Sequence, residues 1–243
     1  HPPPGAGNCP QLTIFRSVPQ RCKWLFILIC AVSATAVQAQ SPSQPGDLQF
    51  LLAFGAVTGP EGKQKVIAVQ NETLLRSGDR LKLFIEPKST VHLYLLHLSA
   101  EGEIVFLYPG EGQSASILPS VAVHIPDVSR WFQLDTHTGH EKFFLLVSAQ
   151  PLHRLEHLYA QHVTLKEQAA LQSSTDSILN EIKQVRLKHR DLSAPAEKPV
   201  RIGGSLRGQK PKDASMFPDV TSLATEISAP GGFYGRTFTI DHR

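Results

Sequence analysis

The segment Ser77–Pro109 is dense in apolar and β-favouring residues, and part of it alternates between hydrophobic and polar positions. Apolar side chains at every second position in Leu81–Ile85 predict a strand with one face in a core. The nearly unbroken apolar run Val91–Leu98 predicts a strand that is covered on both faces. Ile104–Tyr108 predicts a third strand after a Gly-containing turn. These three segments form a central meander around which the other elements pack.

Shorter segments on both sides of this meander also have the length and the flanking turn residues of strands. The segment nearest the C-terminus is predicted to return to the sheet as an edge strand. The segments are Leu48–Val57, Lys65–Val69, Val121–Ile125, Trp131–Leu134, Lys142–Ser148 and Arg236–Asp241.

The period of the apolar positions changes from two to 3.6 after Ser148. A stripe that starts at Leu152 predicts a helix that begins near Pro151 and continues to Ala170. A second helix is predicted over Asp176–Lys188, with Ser174 or Thr175 as its N-cap. The sequence therefore predicts an α+β protein, in which an antiparallel β-sandwich-like core is followed by an α-helical C-terminal appendage.

The N-terminal region has the pattern of a secretory signal peptide. Arg21 and Lys23 precede the apolar run Trp24–Val32, and Val37-Gln38-Ala39 is a small-x-small cleavage pattern. The apolar run is shorter than the roughly 20 residues that a membrane-spanning helix needs. We therefore predict cleavage near Ala39 and a periplasmic or extracellular mature protein without a transmembrane segment.

Cleavage at this position changes the composition. All three cysteines lie before residue 40, so the mature chain has no disulfide, cysteine nucleophile or thiolate metal site. The full chain has 24 Lys and Arg against 21 Asp and Glu. The signal region contains Arg16, Arg21 and Lys23 and no acidic residue, so the mature chain has equal numbers of both. This balance argues against a general nucleic-acid-binding protein.

The same patterns divide the chain into five segments. They are an N-terminal extension with the signal peptide (1–39), a Pro/Ser linker (40–47), a β-rich domain (48–150), a helical appendage (151–190), and a loop with the returning strand (191–243). Within the last segment, 194–213 is rich in proline, glycine and basic residues and has no period, which predicts a loop.

One short string matches a catalytic motif. His153, Glu156 and His157 form the H-x-x-E-H pattern of inverzincin metallopeptidases, in which the two histidines bind zinc and the glutamate is the general base. The helical wheel places His153 and His157 opposite the apolar stripe, facing solvent. A solvated polar face is therefore the favoured interpretation, and a zinc hydrolase is the alternative.

Two other polar groups can carry function. Asp135, His137, His140 and Glu141 are residue types that bind metals, but they lie in a predicted polar loop without a recognised spacing. His92 and His97 have opposite parity in their strand, so they are predicted to face opposite sides and not to form a ligand pair.

Basic residues concentrate after Lys183. They are typical of a solvated helix face and loop, and alternatively of a surface that contacts an anionic cell-surface component or an envelope protein. The candidate contact residues are Arg186, Lys188, Arg190, Arg201 and Arg207.

The meander and the Lys142–Ser148 strand resemble a bacterial family known as domain of unknown function 4384. The resemblance covers roughly residues 48–158 and rests on turn and strand residues: Ser77-Gly78-Asp79, Tyr94, Gly102, Leu107-Tyr108-Pro109, Trp131 to Asp135, Gly139 to Glu141, Phe144 to Ser148 and Pro151-Leu152. It implies an exported or envelope-associated accessory domain, in some proteins joined to caspase-like peptidases or protein kinases. The chain matches neither of those enzymes.

The expected function is therefore that of an exported non-catalytic domain that binds another envelope component and needs no cofactor. The alternative is the zinc-dependent hydrolase described above.

Overall fold

The computed structural model describes residues 46–60, 62–189, 196–199 and 219–243. The segment 1–39, most of the predicted linker 40–47 and most of the predicted loop 194–213 lie outside these residues. The strands are, in chain order, β1 (Leu48–Thr58), β2 (Lys65–Ala68), β3 (Thr73–Leu75), β4 (Arg80–Pro87), β5 (Val91–Leu98), β6 (Ile104–Tyr108), β7 (Ser116–Ile117), β8 (Val123–Ile125), β9 (Phe132–Gln133), β10 (Gly139–Ser148), β11 (Ala196–Pro199), β12 (Thr225–Ala229) and β13 (Phe233–His242). Helices α1 (His153–His162) and α2 (Gln168–Lys188) lie between β10 and β11.

The strands form two sheets. In the first sheet the order is β11-β12-β1-β4-β8, with β2 paired to β1 and β9 paired to β4. In the second sheet the order is β3-β13-β10-β5-β6, with β7 paired to β5. The expected antiparallel pairing is found in the described pairs except β3–β13, which is parallel. The protein is therefore mostly β, with one antiparallel and one mixed sheet.

One hydrophobic cluster contains residues from both sheets. The ring of Phe54 in β1 lies 5.3 Å from that of Phe143 in β10 and 5.0 Å from that of Phe238 in β13. Both contacts have the edge-to-face geometry that aromatic rings prefer. The inward residues of the predicted Leu81–Ile85 strand belong to this cluster, which explains their alternation.

The outer face of β4 is also covered, although its polar residues predict exposure. Phe84 packs with Val220 of a 3-10 turn. Lys82 is buried, its Nζ donates to the Val128 carbonyl oxygen at 2.7 Å, and it lies 4.6 Å from the centre of the Trp131 ring. Burial lowers the pKa of Lys82. The period of two in β4 therefore comes from one core face and one face covered by a distant segment.

Both helices pack on the outer face of the second sheet. Leu155 of α1 and Ile178 and Ile182 of α2 form a second cluster with Tyr94 and Leu146 of the sheet. This layer covers the second face of β5, as its continuous apolar run predicts. Among the described residues, no helix has the length and apolar character needed to cross a membrane.

The predicted bounds were wrong where the first helix ends and the second begins. α1 ends at His162 and α2 begins at Gln168, so Ala170 belongs to the second helix and Ser174 and Thr175 lie inside it. Val163, expected in the apolar stripe, is the C-cap of α1 and is 60% exposed. The error arises because the apolar spacing continues across the break, and because Glu167 at the start of α2 makes no side-chain cap bond.

The prediction of a loop and one edge strand after the helices was incomplete, because three strands follow them in the described part of the chain. β12 pairs with β1, and β13 pairs with β10 over its whole length. β13 is an edge strand only in its first part, because β3 pairs with Ile240–His242. Residues 196–199, predicted as loop, form β11 beside β12. In the order of the chain, the two helices therefore lie between a strand of the second sheet (β10) and a strand of the first sheet (β11).

Candidate functional site

An open groove with a volume of about 840 Å³ lies between α1 and the segment that connects β6 to β7. Its lining includes two aromatic rings (Phe106 and Tyr159) and two carboxylates (Glu111 and Glu156). Ala160 is among the exposed residues of α1 that border it. Its volume is in the range of known ligand pockets.

The loop wall of the groove is held by its own hydrogen bonds. The Gly110 N–H donates to Gln113 Oε1, and the Gln113 N–H donates to the Gly110 carbonyl oxygen, both at 3.0 Å. The hydroxyl of Tyr108, whose pKa is raised by burial, donates to the Ser114 carbonyl oxygen at 3.3 Å. The Leu93 N–H donates to the Ala115 carbonyl oxygen at 2.9 Å, which ties the end of the loop to β5.

The floor of the groove is a stacked aromatic pair. The rings of Phe106 and Tyr159 lie 3.9 Å apart at an interplanar angle of 8°. Tyr159 reaches this position because it follows Leu155 by four residues, so both lie on the helix face that packs on the sheet. Phe106 is positioned by β6, which pairs with β5. A strand and a helix therefore each supply one ring.

Tyr94 connects the sheet to the start of α1. Its side chain is fully buried, and its hydroxyl donates to Glu156 Oε1 at 2.6 Å and accepts from the Leu152 N–H at 2.9 Å. Burial, together with the hydrogen bond to Glu156, raises the pKa of Tyr94. The Leu152 N–H precedes the first turn of α1, where helices leave donors without partners. Tyr94 thus satisfies this donor and orients the Glu156 carboxylate that lines the groove.

The H-x-x-E-H string has the predicted orientation. The side chain of His153 is 82% exposed, and His157 is also exposed. His153 Nδ1 lies 3.3 Å from Glu156 Oε2, so the carboxylate predicted as a general base contacts Tyr94 and His153. Within the described part of the chain, no group of three or more His, Cys, Asp or Glu side chains is arranged to hold a metal ion.

The second polar cluster divides between a loop and a strand. Asp135 and His137 lie in the loop, where Asp135 Oδ2 and His137 Nδ1 are 2.9 Å apart. The hydrogen bond from His137 lowers the pKa of Asp135, and Asp135 raises that of His137. His140 and Glu141 were predicted in the same loop but belong to β10, where they face opposite sides. His140 is exposed, whereas Glu141 is buried.

Glu141 is the centre of a polar network that the sequence does not reveal. His97 Nε2 lies 2.5 Å from Glu141 Oε2, and His242 Nδ1 lies 3.8 Å from Glu141 Oε1. The second distance is too long for a hydrogen bond, so His242 Nδ1 faces this carboxylate without bonding to it. Ser77 Oγ lies 3.1 Å from His242 Nε2. Because Ser77 and His242 are 165 positions apart, only the pairing of the strands brings the four residues together.

The order Ser77–His242–Glu141 is that of a serine-hydrolase triad, but its surroundings indicate a structural role. The N–H groups of Ser77 and Gly78 donate to the carbonyl oxygens of Arg243 and Leu134, so they do not form an oxyanion hole. The side chain of His242 is completely buried. The network fixes the Ser77-Gly78 turn to the end of β13.

The predicted basic sector is only partly described. Arg186 donates from its guanidinium to Thr237 Oγ1 at 2.9 Å, so it is held against β13. Lys188 is exposed in the last turn of α2. Arg190, Arg201 and Arg207 lie outside the described residues.

The burial of His162 leads us to expect that the stability of the protein depends on pH. It is 8% exposed, and burial lowers its pKa from the ordinary value of 6.5. The unfolded chain therefore binds the proton more tightly, so stability is complete above about pH 6.5 and is lost as the pH falls through the folded-state pKa. We expect a smaller free energy of unfolding at pH 5 than at pH 7.5, and a smaller difference in His162→Gln. Urea unfolding at both pH values measures this.

A matched control is His157→Gln, which changes an exposed histidine of the same helix. It should retain the difference between pH 5 and pH 7.5. His124, whose pKa burial also lowers, contributes in the same direction, whereas His137, whose pKa Asp135 raises, contributes in the opposite direction, so the effect of His162→Gln is partial. Equal pH dependence in His162→Gln and the wild type would contradict the prediction.

Comparison with protein families identifies one match. The model described as "Domain of unknown function (DUF4384)" matches residues 75–151. The matched region contains the Ser77-Gly78 turn, Tyr94, the loop wall of the groove and all of β10. Searches of curated proteins and of solved structures gave no match.

Proposed function

We propose that this chain, which belongs to the DUF4384 family, is an exported, non-catalytic module that binds another component of the cell envelope through the groove beside α1. The groove itself carries the proposal. It combines an aromatic floor with carboxylates, and its wall and helix are held by defined hydrogen bonds. Preformed concave sites of this kind are typical of ligand and peptide binding.

The proposed scaffold is a β-sandwich with a helical layer on one side. The contacts of Phe54 with Phe143 and Phe238 support stacking of the two sheets. In such a scaffold the position of α1 follows from its packing on β5 and β10. A groove of fixed shape then needs little ordering when a partner binds, which favours affinity.

Export is supported by the sequence pattern at residues 21–39. We expect a bacterial host that expresses the chain with this segment to release a mature protein that begins at Gln40. Intact-mass measurement and N-terminal sequencing of the exported protein check this. The substitution Ala39→Arg should block cleavage at this site, because signal peptidase requires a small residue there. Retention of residues 21–39 in the wild-type product would contradict the proposal.

Binding is tested with the matched variants Ala160→Gln and Ala169→Gln. Both alanines are exposed and helical, but Ala160 lines the groove whereas Ala169 lies in α2 outside its described lining. A longer neutral side chain at position 160 should obstruct the groove without changing the net charge. We expect an envelope component to be retained by the immobilised wild type and by Ala169→Gln, and to be lost with Ala160→Gln.

The two possible failures have different meanings. Equal retention by both variants would exclude the groove as the contact surface. Retention by the wild type no higher than by the heat-denatured protein, at low and high salt, would contradict the binding function. Circular dichroism spectra of the three proteins establish that the variants are folded.

A further inference from the structure

We propose that the groove recognises a positively charged peptide segment, with a lysine or arginine side chain placed between Glu111 and Glu156. This inference rests on the proposed binding function and specifies the chemical class of the ligand. It follows from three features of the groove: its charge, its aromatic floor and the rigid position of one carboxylate.

The charge of the groove has one sign. Glu111 and Glu156 lie on the loop and the helix that face each other across it, and none of its described lining residues is a lysine, arginine or histidine. Arg154, the nearest arginine along α1, instead contacts Glu181 of α2, with Nε and Oε2 2.8 Å apart. A cationic ligand therefore meets two carboxylates and is not opposed by a lining cation. Complementary charge of this kind favours both encounter and selectivity.

The aromatic floor selects among cations. Lysine and arginine carry an apolar stem and a charged end, and they bury the stem on apolar surface while the charge stays near water. Phe106 and Tyr159 provide such a surface, and aromatic rings also attract cations. A small inorganic cation would leave this surface unused. The combination of rings and carboxylates therefore fits a basic side chain.

Glu156 is positioned before any ligand arrives. Its Oε1 accepts from the Tyr94 hydroxyl at 2.6 Å, and its side chain remains 37% exposed. His153 is the one basic group that the structure places against this carboxylate among the described residues, at 3.3 Å from Oε2, and it is itself largely exposed. The carboxylate thus keeps access to the groove while its orientation is defined, so binding loses little side-chain entropy.

The test uses tetralysine as the probe, with its fully Nε-acetylated form and tetraglutamate as controls. Nuclear magnetic resonance titration of the mature protein follows the amide signals of residues 110–115 and of α1. We expect tetralysine to shift these signals, and both control peptides to leave them unchanged at the same concentration. Binding should weaken as salt increases, because the charges are partly exposed to solvent.

Charge variants at Ala160 test whether tetralysine binds in the groove. Ala160→Lys should weaken tetralysine binding and Ala160→Glu should strengthen it, each by up to about fivefold, as expected for one partly exposed charge pair. Ala169→Lys and Ala169→Glu make the same changes on α2 and should have smaller effects. Glu111→Gln should also weaken binding. Equal effects at positions 160 and 169, or equal binding of the acetylated peptide, would overturn the inference.

The tetralysine experiment can fail or succeed independently of the retention experiment that tests the proposed function. If tetralysine does not bind but retention of an envelope component still depends on position 160, the groove remains the contact surface and the cationic class is wrong. If tetralysine binds as described but no envelope component is retained, the ligand class stands and the proposed role in the envelope fails.

Discussion

Substitution of Ile178 by alanine is expected to lower the free energy of unfolding of the whole domain by about 2–5 kcal/mol. Ile178 is fully buried between α2 and the second sheet, where it belongs to the cluster that contains Tyr94 and Leu146. Removal of its branched side chain leaves a cavity that the adjoining sheet cannot close. Urea unfolding followed by circular dichroism at 222 nm measures the loss for the helices.

The fluorescence of Trp131 measures the same transition at the first sheet, since the ring packs with Phe84 on its outer face. We expect both signals to shift together, because the helices pack on the second sheet and that sheet shares one hydrophobic cluster with the first. The control Leu187→Ala removes a leucine that is 49% exposed on the same helix and should cost less than about 0.5 kcal/mol. Loss of the helical signal at lower urea, with unchanged Trp131 fluorescence, would instead identify the helices as an independent appendage.

The second large effect is expected for Tyr94→Phe, which should destabilise the protein by about 1–3 kcal/mol. The change removes one hydroxyl and leaves two partners unsatisfied, the Leu152 N–H and Glu156 Oε1. Both partners lie at the start of α1, so this end of the helix should lose more protection than the rest. Urea unfolding gives the total effect, and amide hydrogen exchange of residues 152–157 locates it.

Tyr108→Phe is the matched control for this prediction. It removes a hydroxyl whose single described hydrogen bond is 3.3 Å long and reaches the carbonyl oxygen of the exposed Ser114, which water can bind instead. Its cost should be well below that of Tyr94→Phe. Glu156→Gln should also cost less, because the amide oxygen still accepts from Tyr94. Unchanged exchange at the start of α1 in Tyr94→Phe would show that the hydroxyl does not hold the helix.

Local pattern was a good guide to individual strands. The predicted bounds of Val91–Leu98 and Ile104–Tyr108 are those of β5 and β6, because apolar runs and glycine turns act within a few residues. The same pattern failed at β4, whose polar face is covered by the Val220 turn. Burial of Lys82 there depends on a carbonyl and an indole ring that lie far away in the sequence.

The candidate site was only partly predictable. The H-x-x-E-H string drew attention to Glu156, and the helical wheel correctly placed His153 and His157 in solvent. Neither observation indicates that Glu156 bonds to Tyr94, which lies 62 positions earlier. The sequence also did not indicate that Phe106 and Tyr159 stack on each other, because each residue simply fits the apolar pattern of its own element.

The sequence by itself determined the β-rich meander, the change to helical period after Ser148 and the outward face of α1. These features depend on spacing between near neighbours, which the order of residues contains directly. Only the tertiary structure decided that β12 and β13 return into the two sheets, that Glu141 joins His97 and His242, and that a groove opens beside α1. Those features depend on which strands pair and in which register, and such long-range contacts are selected by the packing of the whole core.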